Sequence, residues 1–350
     1  MAIHYSLMIL FAYEQHYKGN IYALTRSNRK LEMSQERLLH NVRSVMILAG
    51  YSVSENFTMR PKSFDIVANN GEEILILKVV SHIDSVNEEI THDLSIIAEQ
   101  LHGSPLIVGE RTRDSDLERG AVYLRYGIHA ISYPTLHDYV VDNAPPLIFA
   151  SPGGLYVNIS GERLRELRQE YNLSLGDLAQ TLGVSRRTVA KYESGMGTTI
   201  EIAIKIEEMF DHGIIESIDL LSFNPEQHAH RASHCESASK QAKHHEEVIP
   251  HHQFLKELGM ELYETKRAPF QAMLKYDGNT ILAGYGTDQK TMKHADIIGN
   301  ISSIINGYAL CVLSDSCPRR KIGKALVMDE SSLYKIEEAD ELISMMSCLS

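Results

Sequence analysis

Residues 173–195, "LSLGDLAQTLGVSRRTVAKYESG", constrain the fold more than any other part of this 350-residue chain. Ser174 is a good N-cap, and Leu175, Leu178, Ala179 and Leu182 recur at helical spacing behind it. Gly183 ends that helix, because glycine turns through positive φ at little cost. Ser185 then caps a second helix whose apolar positions are Val189 and Tyr192. A cap, a helix, a glycine turn, another cap and another helix within about 20 residues is the layout of a helix-turn-helix.

If Val189 and Tyr192 face the core, Arg186, Arg187 and Lys191 project the other way. The two arginines sit in the first turn, from which base edges are usually reached. Arginine can bond guanine O6 and N7 in parallel, and Lys191 suits a phosphate. Cations at a helix N-terminus oppose the macrodipole, so this pair fits a helix kept for binding rather than for its own stability. The formal net charge of -12 excludes a protein coated in nucleic acid but not one local basic face.

From "LRELRQEY" through "YESG" the chain resembles the lambda-repressor/Cro-type helix-turn-helix, with "LSLGDLA", "LGVS" and "YESG" at the characteristic positions. The resemblance implies double-stranded DNA as partner. It also implies a salt bridge between Arg168 and Glu193, and a DNA-facing set of Ser174, Ser185, Arg186, Arg187, Thr188 and Lys191. One departure is Leu175, where the family usually carries a phosphate-contacting glutamine. Residues 160–212 should form a compact bundle of four or five helices inside a domain spanning 155–215. A homodimer is expected, because one such motif reads few bases, with the α/β domains supplying most of its interface.

The flanks read as α/β. From Met33 a helix carries Leu38, Val42, Val45, Met46 and Ala49 inward, and the strands "SVSENF", "FDIVANN", "EILILKVV", "PLIVGE" and "HAISY" follow. "EILILKVV" is almost wholly apolar and should be central. Residues 33–142 thus form one α/β domain. Residues 254–346 repeat it: "RPKSFDIVANNGEEILIL" resembles "RAPFQAMLKYDGNTILAG", and Asp93 and Asp296 each open a helix that leads to a glycine turn and a strand. The fold class is therefore two related α/β domains flanking a central all-helical domain. This arrangement resembles the archaeal HTH-type transcriptional regulators over roughly residues 33–346. Residues 1–32 are either an extension ahead of a start at Met33 or a strand or short helix packed on the rest.

The first α/β domain also resembles the PD-(D/E)XK restriction-endonuclease fold, whose site needs an Asp and an acidic-x-Lys to hold Mg²⁺. Asp65 and Lys78 fit, but Ile76 occupies the acidic position, and the second copy has Gln271 and Gly284 instead. A strand-edge ion pair between Asp65 and Lys78 is the expectation, and a metal-dependent nuclease is the alternative function. Residues 222–252 carry His228, His230, His234, His244, His245, His251, His252 and Cys235 without a paired zinc spacing, and read as a polar flexible linker. Cys311 and Cys317 read as a buried strand residue and a turn residue. Four irregularly spaced cysteines fit a reducing cytoplasm, and the apolar run "SLMILFAY" is too short to span a bilayer. Neither a cofactor nor a resident metal is expected. A small-molecule effector held between the α/β domains is compatible with the pattern, which names no ligand.

Overall fold

The computed structural model describes residues 35–57, 62–221, 250–286, 288–314 and 320–348. Residues 1–32, the His-rich stretch up to 249, and Cys317 lie outside the described residues. In chain order the elements are α1 (Gln35–Leu48), β1 (Ser52–Val53), β2 (Ile66–Asn69), β3 (Ile74–His82), α2 (Glu88–Leu101), β4 (Ser104–Arg111), β5 (Ala121–Arg125), β6 (Ile128–Ser132) and α3 (Tyr133–Val140). Then come β7 (Ile148–Ser151), β8 (Gly154–Ile159), α4 (Gly161–Glu170), α5 (Leu175–Leu182), α6 (Arg186–Tyr192), β9 (Thr198–Thr199), α7 (Ile200–Phe210) and β10 (Ile215–Glu216). The last group is α8 (Pro250–Glu257), β11 (Glu261–Glu264), β12 (Ala272–Tyr276), β13 (Asn279–Gly286), α9 (Asp288–Ile304), β14 (Tyr308–Leu313), β15 (Arg320–Ile322), β16 (Ala325–Asp329), α10 (Glu330–Leu333) and α11 (Ala339–Ser347).

The chain forms two compact units. One contains Asp116–Leu124 and Pro134–Asp219; the other contains 35–115, 125–133 and 220–348. In the first unit α4 to α7 are four helices, and β5, β7, β8, β9 and β10 pair beside them. The chain after Pro146 holds a hairpin, β7 with β8. Residues 116–124 and 134–142 were assigned by sequence to the α/β domain, yet they cluster with this unit, whose apolar core includes Ala121.

The second unit holds two α/β sheets of the same design. One runs β1-β2-β3-β4-β6 and the other β11-β12-β13-β14-β16. In both, the pairings along this order are antiparallel, antiparallel, parallel, parallel. β3 lies between β2 and β4 and packs against both α1 and α2, so Leu75, Ile76, Leu77, Val79 and Val80 are all buried. The registers make residues counterparts. Asp65 N–H donates to Leu77 O at 2.8 Å, and Gln271 N–H to Ala283 O at 2.9 Å. His102 and Asn306 both adopt positive φ, at 49° and 56°. The glycine after each is required, since a Cβ on Gly103 or Gly307 would lie 2.8 or 2.6 Å from the carbonyl oxygen of Ile74 or Thr280.

Three expectations need correction. Asp93 does not open α2: Asn87 caps it, its side chain accepting from Ile90 N–H at 3.0 Å. Asp93 lies within the helix, buried, and accepts from the N–H groups of Lys266 (3.2 Å) and Arg267 (2.7 Å) in the loop before β12. Asp296 likewise lies within α9 rather than at its start. The linker expected through His252 ends sooner, because α8 begins at Pro250 and buries both His251 and His252. His251 Nδ1 meets Tyr334 Oη at 2.9 Å and its Nε2 meets Glu330 Oε1 at 3.1 Å, while His252 Nδ1 meets Glu264 Oε1 at 2.8 Å. Polar composition hid two histidines that pack against the Tyr285 ring.

Candidate nucleic-acid interface

The helical unit is built by short-range signals that agree. Ser160 caps α4 by accepting from Arg163 N–H. Ser174 caps α5 with a reciprocal box: its Oγ accepts from Asp177 N–H at 3.2 Å, and Asp177 Oδ2 accepts from Ser174 N–H at 2.9 Å. Those bonds with Ser174 hold the Asp177 carboxyl below its ordinary pKa. Gly183 sits at φ 70° in the turn. Ser185 caps α6, its Oγ accepting from Thr188 N–H at 3.1 Å and lying 2.8 Å from Thr188 Oγ1. Leu164, Leu167, Leu178, Ala179, Leu182, Val189 and Tyr192 form one buried cluster. Leu175 packs against that cluster, so the departure at this position adds to the core.

Arg168 and Glu193 fix α4 to the end of α6. Arg168 Nε donates to Glu193 Oε1 at 2.5 Å, its Nη2 to Oε2 at 3.2 Å, and its Nη1 to Leu173 O at 3.0 Å. One guanidinium thus bridges the chain before α5 and the residue after α6. Arg165, which sequence reasoning passed over, adds a bond from Nη2 to Glu193 O at 3.1 Å. Gly161 was also missed: a Cβ there would lie 2.6 Å from Tyr192 O, so α4 approaches the end of α6 only because this residue is glycine.

The six candidates divide by what their side chains do. The Ser174 and Ser185 hydroxyls are engaged in caps, and Thr188 is engaged with Ser185. Arg186 lies over Gly176, where a Cβ would come within 2.9 Å of its Nε, and its charge acts on Asp177. Arg187 and Lys191 are exposed, and no carboxylate lies within salt-bridge distance of either among the described residues. Exposed Gln180, Thr181, Ala190 and Ser194 belong to the same two helices and the turn after them.

The nuclease-like constellation lies in the other unit and is buried rather than at a strand edge. Asp65 is 2% and Lys78 6% exposed. Asp65 Oδ1 is 2.7 Å from Lys62 Nζ, and Oδ2 is 3.3 Å from Lys78 Nζ and accepts from Val79 N–H at 2.8 Å. Lys78 also donates to Lys62 O at 2.8 Å. Lys62 is the partner that sequence reasoning missed. Ile76 is wholly buried and supplies no second carboxylate. A divalent cation needs several hard oxygen ligands. Here the one carboxylate is held by two ammonium groups, so the residues present do not fit such an ion.

The second sheet fills the corresponding place without charge. Gln271 Oε1 accepts from Tyr285 N–H at 3.0 Å, and its Nε2 donates to Tyr285 O at 3.2 Å. In the first sheet those two tasks are shared: Asp65 takes the Val79 N–H, and Gln35 Nε2 donates to Val79 O at 3.1 Å. At Gly284, the counterpart of Lys78, a Cβ would lie 2.7 Å from Ile298 Cδ1, so a side chain there would have to displace the end of Ile298.

Family profiles match the regions that carry both sites. A PD-(D/E)XK superfamily domain profile matches residues 35–146, and a helix-turn-helix profile matches residues 164–211. A protein of Methanospirillum hungatei named "Putative HTH-type transcriptional regulatory protein" is 59% identical over 89% of this chain and 99% of its own length. The chain belongs to this archaeal family. Members with the same name from Methanoregula boonei and Methanosarcina acetivorans are 53% and 34% identical, over 90% and 89% of this chain and 96% of each of their own lengths. No solved structure matches the family member described here. Among the described residues no helix is long and apolar enough to cross a membrane.

Proposed function

We propose that this chain is a sequence-specific DNA-binding transcriptional regulator without catalytic activity, with α6 as the reading helix. One observation carries the reading. Arg187 and Lys191 are exposed and unpaired by any described carboxylate, on a helix whose far end is clamped by Arg168 and Glu193. Arg187 is the base-reading residue and Lys191 the phosphate contact. Arg186 supports Arg187 by bracing the first turn against α5, and Ser174, Ser185 and Thr188 present backbone and hydroxyl groups near the phosphates. Cro-type docking of this kind uses two half-sites about 34 Å apart or a multiple of it, so the acting species is a homodimer. The faces the two α/β domains turn to each other are engaged within the chain, through Asp93 with Lys266 and Arg267, so the contact between chains uses other surfaces. The matched sheet orders support an origin of the α/β pair by duplication.

The absence of catalysis rests on Asp65, whose oxygens are committed to Lys62, Lys78 and Val79 N–H. Genome-wide mapping of binding sites tests the proposal directly. A shared sequence motif at the bound loci supports it; crosslinking without any enriched sequence overturns it. The rival reading, a metal-dependent nuclease, requires plasmid cleavage with Mg²⁺ or Mn²⁺.

A further inference from the structure

The two α/β sheets are alike, yet one contact between them is not repeated. On one side Asn69 Nδ2 crosses to the end of α9 and donates to Ile304 O at 2.7 Å. Strand register makes Lys275 the counterpart of Asn69, and helix register makes Gln100 the counterpart of Ile304. Lys275 does not cross. Its Nζ turns back along its own hairpin and donates to Thr280 Oγ1 at 2.7 Å. What remains is a cleft of about 450 Å³ where the matching contact would be, walled by Gln100, His102, Glu261, Lys275 and Thr280 over Leu101 and Ile305. That volume is in the range of small-ligand sites.

The lining carries both signs of charge side by side. Partial burial holds the Lys275 ammonium below its ordinary pKa, and Glu261 only partly offsets this. No described carboxylate lies within salt-bridge distance of Lys275, so an incoming anion would gain a desolvated charge partner. The negative group stands beside it, since Glu261 and Lys275 are register partners across β11 and β12. Glu261 carries one carboxylate there, with Oε2 accepting from Tyr263 Oη at 3.0 Å. Gln100 and Leu101, in the last turn of α2, line the same cleft, and the helix dipole there favours a cation.

We propose that this cleft binds a small zwitterion of the free amino-acid class, its carboxylate on Lys275 and its ammonium toward the neighbouring Glu261 and the C-terminal end of α2. Occupancy is independent of the DNA-binding proposal and is measured without DNA, so the two fail separately. If both hold, the ligand is an effector.

The test is calorimetric titration of the full chain with each L-amino acid at millimolar concentration, repeated with its N-acetyl form and its decarboxylated amine. At least one amino acid should bind, and its two altered forms should not. Lys275→Gln can still bond Thr280 and should weaken binding about tenfold or more, as expected when a charged hydrogen bond is lost. Glu261→Gln should weaken it as well, and it serves as the second probe should the Lys275 variant melt early. Asn69→Ala, on the closed side, should bind as the wild type does. Silence from every amino acid overturns the proposal. So does equal binding by the amine or the N-acetyl form, or unchanged affinity in both cleft variants.

Discussion

Phe64 and Phe270, counterparts in the two α/β sheets, lie against each other with ring centroids 6.3 Å apart. Each precedes the residue that bonds the backbone of the neighbouring central strand, Asp65 or Gln271. Both rings are essentially fully buried, so the seam between the sheets is apolar at its centre and hydrogen-bonded at its rim by Asn69 with Ile304 O and Asp93 with Arg267 N–H. Phe64→Ala should cost about 3–5 kcal/mol. Chemical denaturation should read that loss, and a wild-type midpoint would show that the seam does not contribute.

Arg187→Ala should relax base preference and cost roughly 1–3 kcal/mol per half-site. Lys191→Ala should weaken specific and scrambled duplexes alike and reduce the salt slope by about one. Titrations at several salt concentrations separate the two. Equal losses on both duplexes for Arg187→Ala would mean that α6 touches only backbone.

Removing Arg168 leaves the buried Glu193 carboxylate with only the longer contact to Arg165, at 3.5 Å. Arg168→Met should therefore destabilise the helical unit by about 3 kcal/mol. Weakened DNA binding should follow from loss of the helical arrangement, and lower temperature should restore part of it. An unchanged melting curve would contradict the clamp.

Asp65→Asn removes the counterion shared by half-buried Lys62 and buried Lys78. The variant should lose about 3 kcal/mol of stability. The wild type should show no plasmid cleavage with Mg²⁺ or Mn²⁺, and metal addition should not raise its melting temperature. Metal-dependent stabilisation would mean that the cation displaces the lysines.

Burial holds the His251 pKa below 6.5, with His252 acting in the same direction and Glu330 against both. The folded state then resists a proton that the unfolded chain accepts. Stability should be flat above about pH 6.5 and fall as the pH drops below it. His251→Val, which copies Val42 at the corresponding place in α1, should flatten that fall. An identical acid slope in wild type and variant would assign it to other groups.

The helical unit was the most legible part of the sequence. Its caps, its glycine turn and its apolar spacing are local, and the Arg168–Glu193 pair follows from a resemblance of the whole motif. Gly161 was not legible, because it is required by the backbone that packs on it after α6. The α/β repeat was readable in register: Gln271 and Gly284 do stand at the places of Asp65 and Lys78. Lys62 was missed because no spacing marks the residue that turns a buried carboxylate into a closed ion cluster. His251 and His252 were misplaced because a polar run gave no boundary between what precedes α8 and the helix itself. The strand "AVYLR", β5, is short and half-exposed, and left no alternation to read.

Carrying both α/β sheets on one polypeptide has a consequence for how the pair responds to dilution. Separate subunits part when their concentration falls below the dissociation constant. Tethered partners keep a fixed local concentration however little protein the cell makes. The pair should therefore persist at low copy number. Mixed pairings with other chains would also be disfavoured, because each sheet already has a partner attached to it. Within that permanent pair one sheet carries Asp65 with Lys62 and Lys78, and the other carries Gln271 and Gly284.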